Sequence, residues 1–249
     1  MRKSKMWRML TVAALAASMT CGVFGVQSVS AADKKTLKVA MECGYAPYNW
    51  TQPDDSNGAV QISGSSDYAY GYDVMMAKKI ADELGYDLEI VKLDWDSLVP
   101  AVQSGQVDLG IAAFTNTPER AKEIDFSNLY ETSAQLLIVK TGNADTYSTK
   151  EALAGQKVGA QKGTIQSQLI QSALPDSELF ELEKYPALAL EVQNGNIAGL
   201  VVDQAVGESL VANSNGELEV SNFEFSAEEA SFGKSVVIAK GNEDLVAAV

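Results

Sequence analysis

Apolar residues recur along this chain with two periods, and the two alternate. The stretch Lys34–Glu42 alternates and turns apolar towards its end, which reads as a first strand. Within Gly71–Leu84, Val74, Met76, Ala77, Ile80, Ala81 and Leu84 fall at helical spacing, and Gly85 closes the helix. Asp87–Leu93 returns as a strand, so the intervening helix implies a right-handed parallel crossover. Leu98, Val99 and Val102 then mark a helical face that Gly105 stops, ahead of a buried strand at Val107–Ala113. Another apolar strand runs Ser133–Lys140. The polar stretch Thr141–Thr149 reads as a junction, after which a second α/β unit begins. Thr149 caps a short helix to Leu153. A strand at Gln156–Ala160, a helix to Ala173, a strand at Glu178–Lys184, a helix over Pro186–Gln193 closed by Gly195, and a buried strand at Ile197–Val202 follow. Ser221–Ser231 is polar and acidic. Phe232–Lys240 is a last strand, and Asn242–Val249 begins a helix that the chain does not finish. Thr51–Tyr70, rich in Ser, Gly, Asp and Asn around Val60-Gln61-Ile62, is a long surface loop or hairpin, either a solvated excursion or a flap over a site.

Charge and composition narrow the function. At 249 residues and 46% hydrophobic, the chain suffices for one or two globular domains. Its formal charge is −14, and it contains no histidine, which removes His-based triads and His-ligated metals. Residues 1–32 have the pattern of an export signal: Arg2, Lys3, Lys5 and Arg8, then the apolar run Met9–Met19, then small residues at Val29-Ser30-Ala31-Ala32. Ala17-Ser18-Met19-Thr20-Cys21 raises lipidation at Cys21 as the rival, although Thr20 fits that motif poorly. Removal of the segment leaves fifteen cations against thirty-three acids, a balance of −18. So acidic a chain is a poor partner for nucleic acid or an anionic membrane. Cys43 alone would remain, too few for an intrachain disulfide, and reads as a packed thiol.

The same removal leaves Arg120 as the only arginine. Solvated surfaces are served by lysine, whereas a planar fork for a carboxylate or phosphate requires arginine. Thr117 and Pro118 suit the N-cap and first position of a helix that would hold Arg120 in its first turn, where a cation opposes the macrodipole. Either an anion in a cleft holds Arg120 there, or a surface ion pair with Glu119 or Glu123 does. Asp203, directly after a buried strand, is either the N-cap of the next helix or a ligand contact. The loop Gln161-Lys162-Gly163-Thr164-Ile165 joins strand to helix, as a tight turn or as an anion site using free N–H groups. It matches neither a P-loop nor G-x-G-x-x-G. Glu42 sits at a strand's C-terminal edge, before the aromatic loop Gly44–Trp50, where ligands gather in α/β sheets. Tyr45 either covers a core edge or stacks on a ligand.

Trp95-(x2)-Leu98-Val99-Pro100-Ala101-(x3)-Gly105-(x2)-Asp108, with Thr115-(x)-Thr117-(x)-Glu119-Arg120 and Ile124-Asp125-Phe126-Ser127-(x2)-Tyr130, resembles the polar amino-acid substrate-binding proteins of ABC importers, the family-3 solute-binding group. Gly71-Tyr72-Asp73-Val74 matches that family's helix signature, except that Met75 stands where an acid is usual. The resemblance covers Lys35 to Val249. It implies an α/β type II periplasmic binding protein fold, with two lobes that are mainly parallel sheets flanked by helices and joined by crossover strands near Gln135–Lys140 and Ser231–Ala239. Lobe 1 would take residues 33–138, lobe 2 139–232, and 233–249 would return to lobe 1. By position, Arg120 would take a ligand α-carboxylate, helped by backbone N–H groups of Thr115, Thr164 and Ile165 beside Gly163. Asp203, the Thr115 hydroxyl and the Ala113 carbonyl would take the α-ammonium. Tyr45 and Trp95 would sandwich the side chain, with Glu42 and Gln161 at its far end. Glu42 favours a basic or polar amino acid such as arginine or lysine, then glutamine, and disfavours acidic ones. The expected partners are the free amino acid and a membrane permease. The protein would be an exported monomer that needs no metal or cofactor.

Two rivals share the scaffold. One is a dehydratase resembling the cyclohexadienyl type, in which Glu42 would be the acid. The other is an extracellular sensor domain, which a downstream spanning helix would mark.

Overall fold

The computed structural model describes residues 34–226 and 230–249. The expected export signal, with Cys21, lies outside the described residues, as do residues 227–229 of the acidic stretch. Along the chain the first elements are β1 (Thr36–Met41), β2 (Gly44–Tyr45), β3 (Asn49–Gln52), β4 (Val60–Gln61), β5 (Tyr68–Tyr70), α1 (Tyr72–Leu84), β6 (Asp87–Lys92), α2 (Trp95–Gln103), β7 (Leu109–Thr115) and β8 (Ile124–Phe126). Then come β9 (Glu131–Lys140), α3 (Lys150–Leu153), β10 (Lys157–Gln161), α4 (Ile165–Ala173), β11 (Glu178–Leu182), α5 (Tyr185–Asn194), β12 (Gly199–Asp203), α6 (Gln204–Ala212), β13 (Leu218–Val220), β14 (Ser231–Ala239) and α7 (Glu243–Ala248).

The main sheet runs β11-β10-β12-β9-β14-β7-β1-β6, with β13 on β9 and β8 on β14. Two parallel groups flank an antiparallel middle. In one, β1 pairs in parallel with β6 and β7. In the other, β10 pairs in parallel with β11 and β12. The first half of β9, Glu131–Ala134, pairs with β14, and its second half, Gln135–Val139, pairs with β12. β14 likewise changes partner along its length, from β9 over Ser231–Lys234 to β7 from Lys234 onward. These are the two crossover strands of a two-lobed α/β fold, and both lie in the expected stretches.

Each lobe is helix on sheet on helix, because its parallel strands are apolar on both faces. β7 is buried along its whole length. In the first lobe, α1 supplies Val74, Ala77, Ile80 and Ala81 to one face, and α2 supplies Leu98, Ala101 and Val102 to the other. In the second, Leu169, Ile170 and Ala173 of α4 cover one face, and Leu188, Ala189 and Val192 of α5 cover its opposite. Glycine ends α1 and α5 in left-handed geometry at Gly85 (φ 68°) and Gly195 (φ 75°).

One expectation is resolved and another corrected. Of the loop and the hairpin left open for residues 51–70, the hairpin is realised: β2, β3, β5 and β4 make a small antiparallel sheet that includes half of the aromatic stretch. Its alternation is short and interrupted by turn residues, so periodicity gives it little weight. The helix expected after Pro118 is only one tight turn, Arg120–Lys122. Thr117 Oγ1 does accept the Arg120 N–H at 3.2 Å, but one turn carries no useful macrodipole. The electrostatic conflict inferred for Arg120 therefore does not arise there.

Gly71 fixes the entry to α1. Its φ is 129°, and a Cβ there would lie 2.2 Å from the Tyr48 carbonyl oxygen and 2.9 Å from that of Pro47. These are backbone atoms that anchor the start of α1: the Tyr72 N–H donates to the Pro47 carbonyl at 3.1 Å and the Asp73 N–H to the Tyr48 carbonyl at 2.8 Å. Gly71→Ala should therefore cost about 3 kcal/mol of stability, read as a lowered midpoint in urea unfolding. A wild-type midpoint would show that this entry relaxes freely.

Candidate functional site

The carboxyl ends of β1 and β7 face the start of α4 and the end of β12, and a narrow cavity lies between them. Ten of the eleven residues singled out in the sequence line it: Glu42, Tyr45, Trp95, Ala113, Thr115, Arg120, Gln161, Thr164, Ile165 and Asp203. Gly163 adjoins it, its carbonyl accepting from Trp95 Nε1 and Arg120 Nη2, each at 3.4 Å.

Arg120 faces the cavity instead of a surface acid. Its Nη1 donates to the Thr115 carbonyl at 3.0 Å. Its Cζ lies 5.3 Å from the Trp95 ring centre and 5.8 Å from that of Phe114, and these two rings stack at 4.8 Å. Among the described residues no ion pair reaches it, so the alternative of Glu119 or Glu123 is not realised. Burial pulls its pKa down to about 10, well below the usual guanidinium range. A charge held this way gains from any anion brought to it.

Asp203 precedes α6, yet its side chain makes no capping hydrogen bond. It is buried, and its oxygens point into the site. Oδ2 accepts from the Tyr45 hydroxyl at 2.5 Å and from Gln166 Nε2 at 3.4 Å. Oδ1 accepts from Gln135 Nε2 at 2.7 Å and from the ammonium of Lys234, which is itself fully buried. Capping is thus excluded as its role, and the carboxylate is the centre of a polar cluster.

Glu42 lies at the other end. Gln161 Nε2 donates to it at 2.9 Å and also to the Glu183 carbonyl at 2.8 Å. Burial pushes the Glu42 carboxyl above its ordinary range, and the Gln161 hydrogen bond opposes this. Thr164 caps α4, accepting the Ser167 N–H at 3.4 Å, so the N–H groups of that helix's first turn remain near the cavity. Tyr45 covers a core edge, as one of its two readings has it, packing against Tyr48 (5.8 Å) and Tyr185 (4.8 Å), and it also faces the cavity. Trp95 stacks on Phe114 and lines the cavity with Tyr45. Cys43 is a buried free thiol, pushed up to about 12 by burial, and is inert by that measure.

The family model of bacterial extracellular solute-binding proteins, family 3, matches residues 37–249. The chain belongs to this family. It is 30% identical over 217 residues to the L-cystine-binding protein TcyJ of Escherichia coli, covering 87% of this chain and 76% of that protein. It is 28% identical over 242 residues to the arginine-binding extracellular protein ArtP of Bacillus subtilis, covering 96% of this chain and 88% of that one. Among solved structures it is similar to AbpA, an amino acid ABC transporter substrate-binding protein from Streptococcus pneumoniae bound to L-arginine. That match has a TM-score of 0.76 and 31% identity, and covers 86% of this chain and 85% of AbpA. No helix of the described residues is long and apolar enough to cross a membrane.

Several residues of this solute-binding protein's site escape sequence reasoning. Lys234, Gln166, Tyr185, Asn49 and Ala112 line the cavity, and Gln135 holds Asp203. Lys234 carries no signal, because a lysine at the mouth of the strand Phe232–Lys240 reads as solvated. Ala113 is left-handed (φ 51°). Between the pairs Gly110↔Val237 and Phe114↔Ser235, β7 has three residues where β14 has one, so Ala113 sits in a bulge beside the cavity. Below the bulge, the fully buried Asp73 accepts from Asn49 Nδ2 at 2.7 Å, from the Tyr130 hydroxyl at 2.9 Å and from the Ala113 backbone. It anchors the floor of the site.

Burial pushes the Asp73 carboxyl up from 3.8 to about 6. The folded state thus binds its proton more tightly than the unfolded chain does. The stabilising contribution of Asp73 is complete below 3.8 and is lost as pH rises through about 6. Urea unfolding of wild type and Asp73→Asn across that window should show the wild type losing stability, relative to the variant, as pH rises. A difference independent of pH would mean that Asp73 is not perturbed.

Proposed function

We propose that this chain is the extracytoplasmic substrate-binding component of an amino-acid ABC importer, closing on a free polar or basic L-amino acid and handing it to a membrane permease. The described residues of segments 33–138 and 233–249 form the first lobe and those of 139–232 the second, with β9 and β14 as the hinge. The observation that carries this reading is a guanidinium on one wall without an acid partner among the described residues, facing a buried carboxylate on the other wall.

Arg120 takes the ligand carboxylate as a planar fork, with N–H groups of Thr115, Thr164 and Ile165 beside it. The ligand ammonium lies between Asp203, the Thr115 hydroxyl and the Ala113 carbonyl. Tyr45 and Trp95 flank the apolar stem, and Glu42 with Gln161 meets the side-chain end. Glu42 favours a cationic or strongly donating end group, as does the negative charge of the whole protein. The cycle is lobe closure and release, a population shift without bond making. The protein acts as a monomer and does not engage nucleic acid.

A dehydratase on this scaffold would need Glu42 as a proton donor, and its raised pKa is the one feature in favour. Gln161, which donates to Glu42, suits the ionised form instead, so binding without turnover is the better reading.

A thermal-shift screen against the twenty amino acids, ornithine and cystine should reveal a ligand. Arg120→Ala should weaken it by more than about 100-fold in calorimetry, the scale of losing one charged partner in a buried site. Undiminished binding would remove Arg120 from the site. Affinity for a ligand with a cationic side chain should also fall on acidification, starting above the ordinary glutamate range, as Glu42 takes up its proton. A ligand with a neutral side chain should show no such fall. Parallel pH profiles for the two would place the side chain away from Glu42.

A further inference from the structure

Asp203 has no acceptor direction left. An ionised carboxylate offers about four lone-pair positions, and four donors from Tyr45, Gln166, Gln135 and Lys234 meet them. The arrangement is locked sideways, because Gln166 Nε2 also donates to Gln135 Oε1 at 2.9 Å. Lys234 is the decisive member. It stands where β14 changes partner, paired with Glu131 on one side and Thr115 on the other. Its ammonium reaches Asp203 and lies 5.7 Å from the centre of the Tyr48 ring, and the residue lines the cavity.

Two cations, Arg120 and Lys234, and one anion, Asp203, line the head-group end of the cavity, and the buried Asp73 carboxyl beneath the Ala113 bulge also feels the Lys234 charge. A zwitterionic head group must bring its ammonium to a saturated carboxylate beside another ammonium. A simple carboxylate pairs with Arg120 and asks nothing of Asp203. We propose that Lys234 acts as the resident counter-ion of Asp203, and that this site consequently accepts carboxylates without an α-ammonium, those bearing hydrogen, hydroxyl or oxo at the α carbon, nearly as well as it accepts amino acids. The proposal rests on the reading of the cavity as an amino-acid site, and it adds that Lys234 relaxes the requirement for the amine.

The test compares matched probes by calorimetry near neutral pH: L-arginine against δ-guanidinovalerate, and L-lysine against ε-aminocaproate. The expected wild-type result is that each des-amino acid binds within about tenfold of its amino acid, a difference no larger than one modest hydrogen bond. Lys234→Met keeps the length of the side chain and removes the charge, which frees a direction on Asp203. It should widen the preference for the amino acid beyond about 100-fold, the scale of a newly made buried ion pair. Lys234→Gln, which keeps a donor, should fall between. The wild-type ratio decides even where a variant fails to fold. Amino acids bound with the des-amino acids rejected by more than about 100-fold would overturn this inference and leave the amino-acid reading intact. The des-amino acids bound alone would overturn both, since the inference is a near-equal affinity for the two classes. Binding of none of the four would overturn both.

Discussion

Charges enclosed between two lobes lose water, and each must then find a partner or shift its protonation. That constraint organises this protein. The Asp203 carboxylate satisfies it completely, with a buried ammonium, two carboxamides and a phenol around it. Arg120 satisfies it only in part, through carbonyl oxygens and aromatic faces. Glu42 satisfies it with one carboxamide and a raised pKa. The three together form a graded set: one charge fully compensated, two held in readiness. An arrangement of that kind binds, because its unspent interactions become available only when a complementary molecule arrives.

The lobes are positioned for this by two strands. β9 and β14 pair with each other in the middle of the sheet and with different lobes at their ends. Several contacts then span the cavity mouth: Tyr45 to Tyr185, Gln161 to Glu42, Trp95 and Arg120 to the Gly163 carbonyl, and Lys184 to Asp94 at 2.6 Å. The last is solvent-exposed and contributes little. The buried Lys234–Asp203 pair, beside the point where β14 changes partner instead of at the rim, is the most costly to leave half made.

Much of this was legible in the sequence for identifiable reasons. Val74, Ala77, Ile80 and Ala81 sit at helical spacing, and they do cover one face of the first lobe. Arg120 stood out because arginine is otherwise absent beyond the first residues, and a lone fork in a lysine-rich chain needs a planar acceptor. Asp203 was visible as an acid ending an apolar strand, and capping remained open until its side chain proved to make no cap. The rest was illegible for equally physical reasons. β2 to β5 are two to four residues long, too short for a period to emerge. The turn at Arg120–Lys122 carries the right capping residue without a helix to cap. Lys234 occupies a position that any solvated strand end would tolerate, and only the three-dimensional convergence of β9, β12 and β14 makes it a core residue.

That convergence bears on how specificity arises in such a site. Position alone assigns Arg120 and Asp203 complementary tasks, one for each charge of an amino acid. The assignment holds only while the carboxylate is free to act. A single lysine entering from the crossover strand alters the balance without touching the groups that line the side-chain end. On the proposed reading, Glu42 and Gln161 select the far end of the ligand, Arg120 selects a carboxylate, and Lys234 sets how much the amine between them matters. On that reading recognition of the three parts of the ligand is separable, because each is met by a different element: the Arg120 turn, the end of β12 with its crossover lysine, and the end of β1.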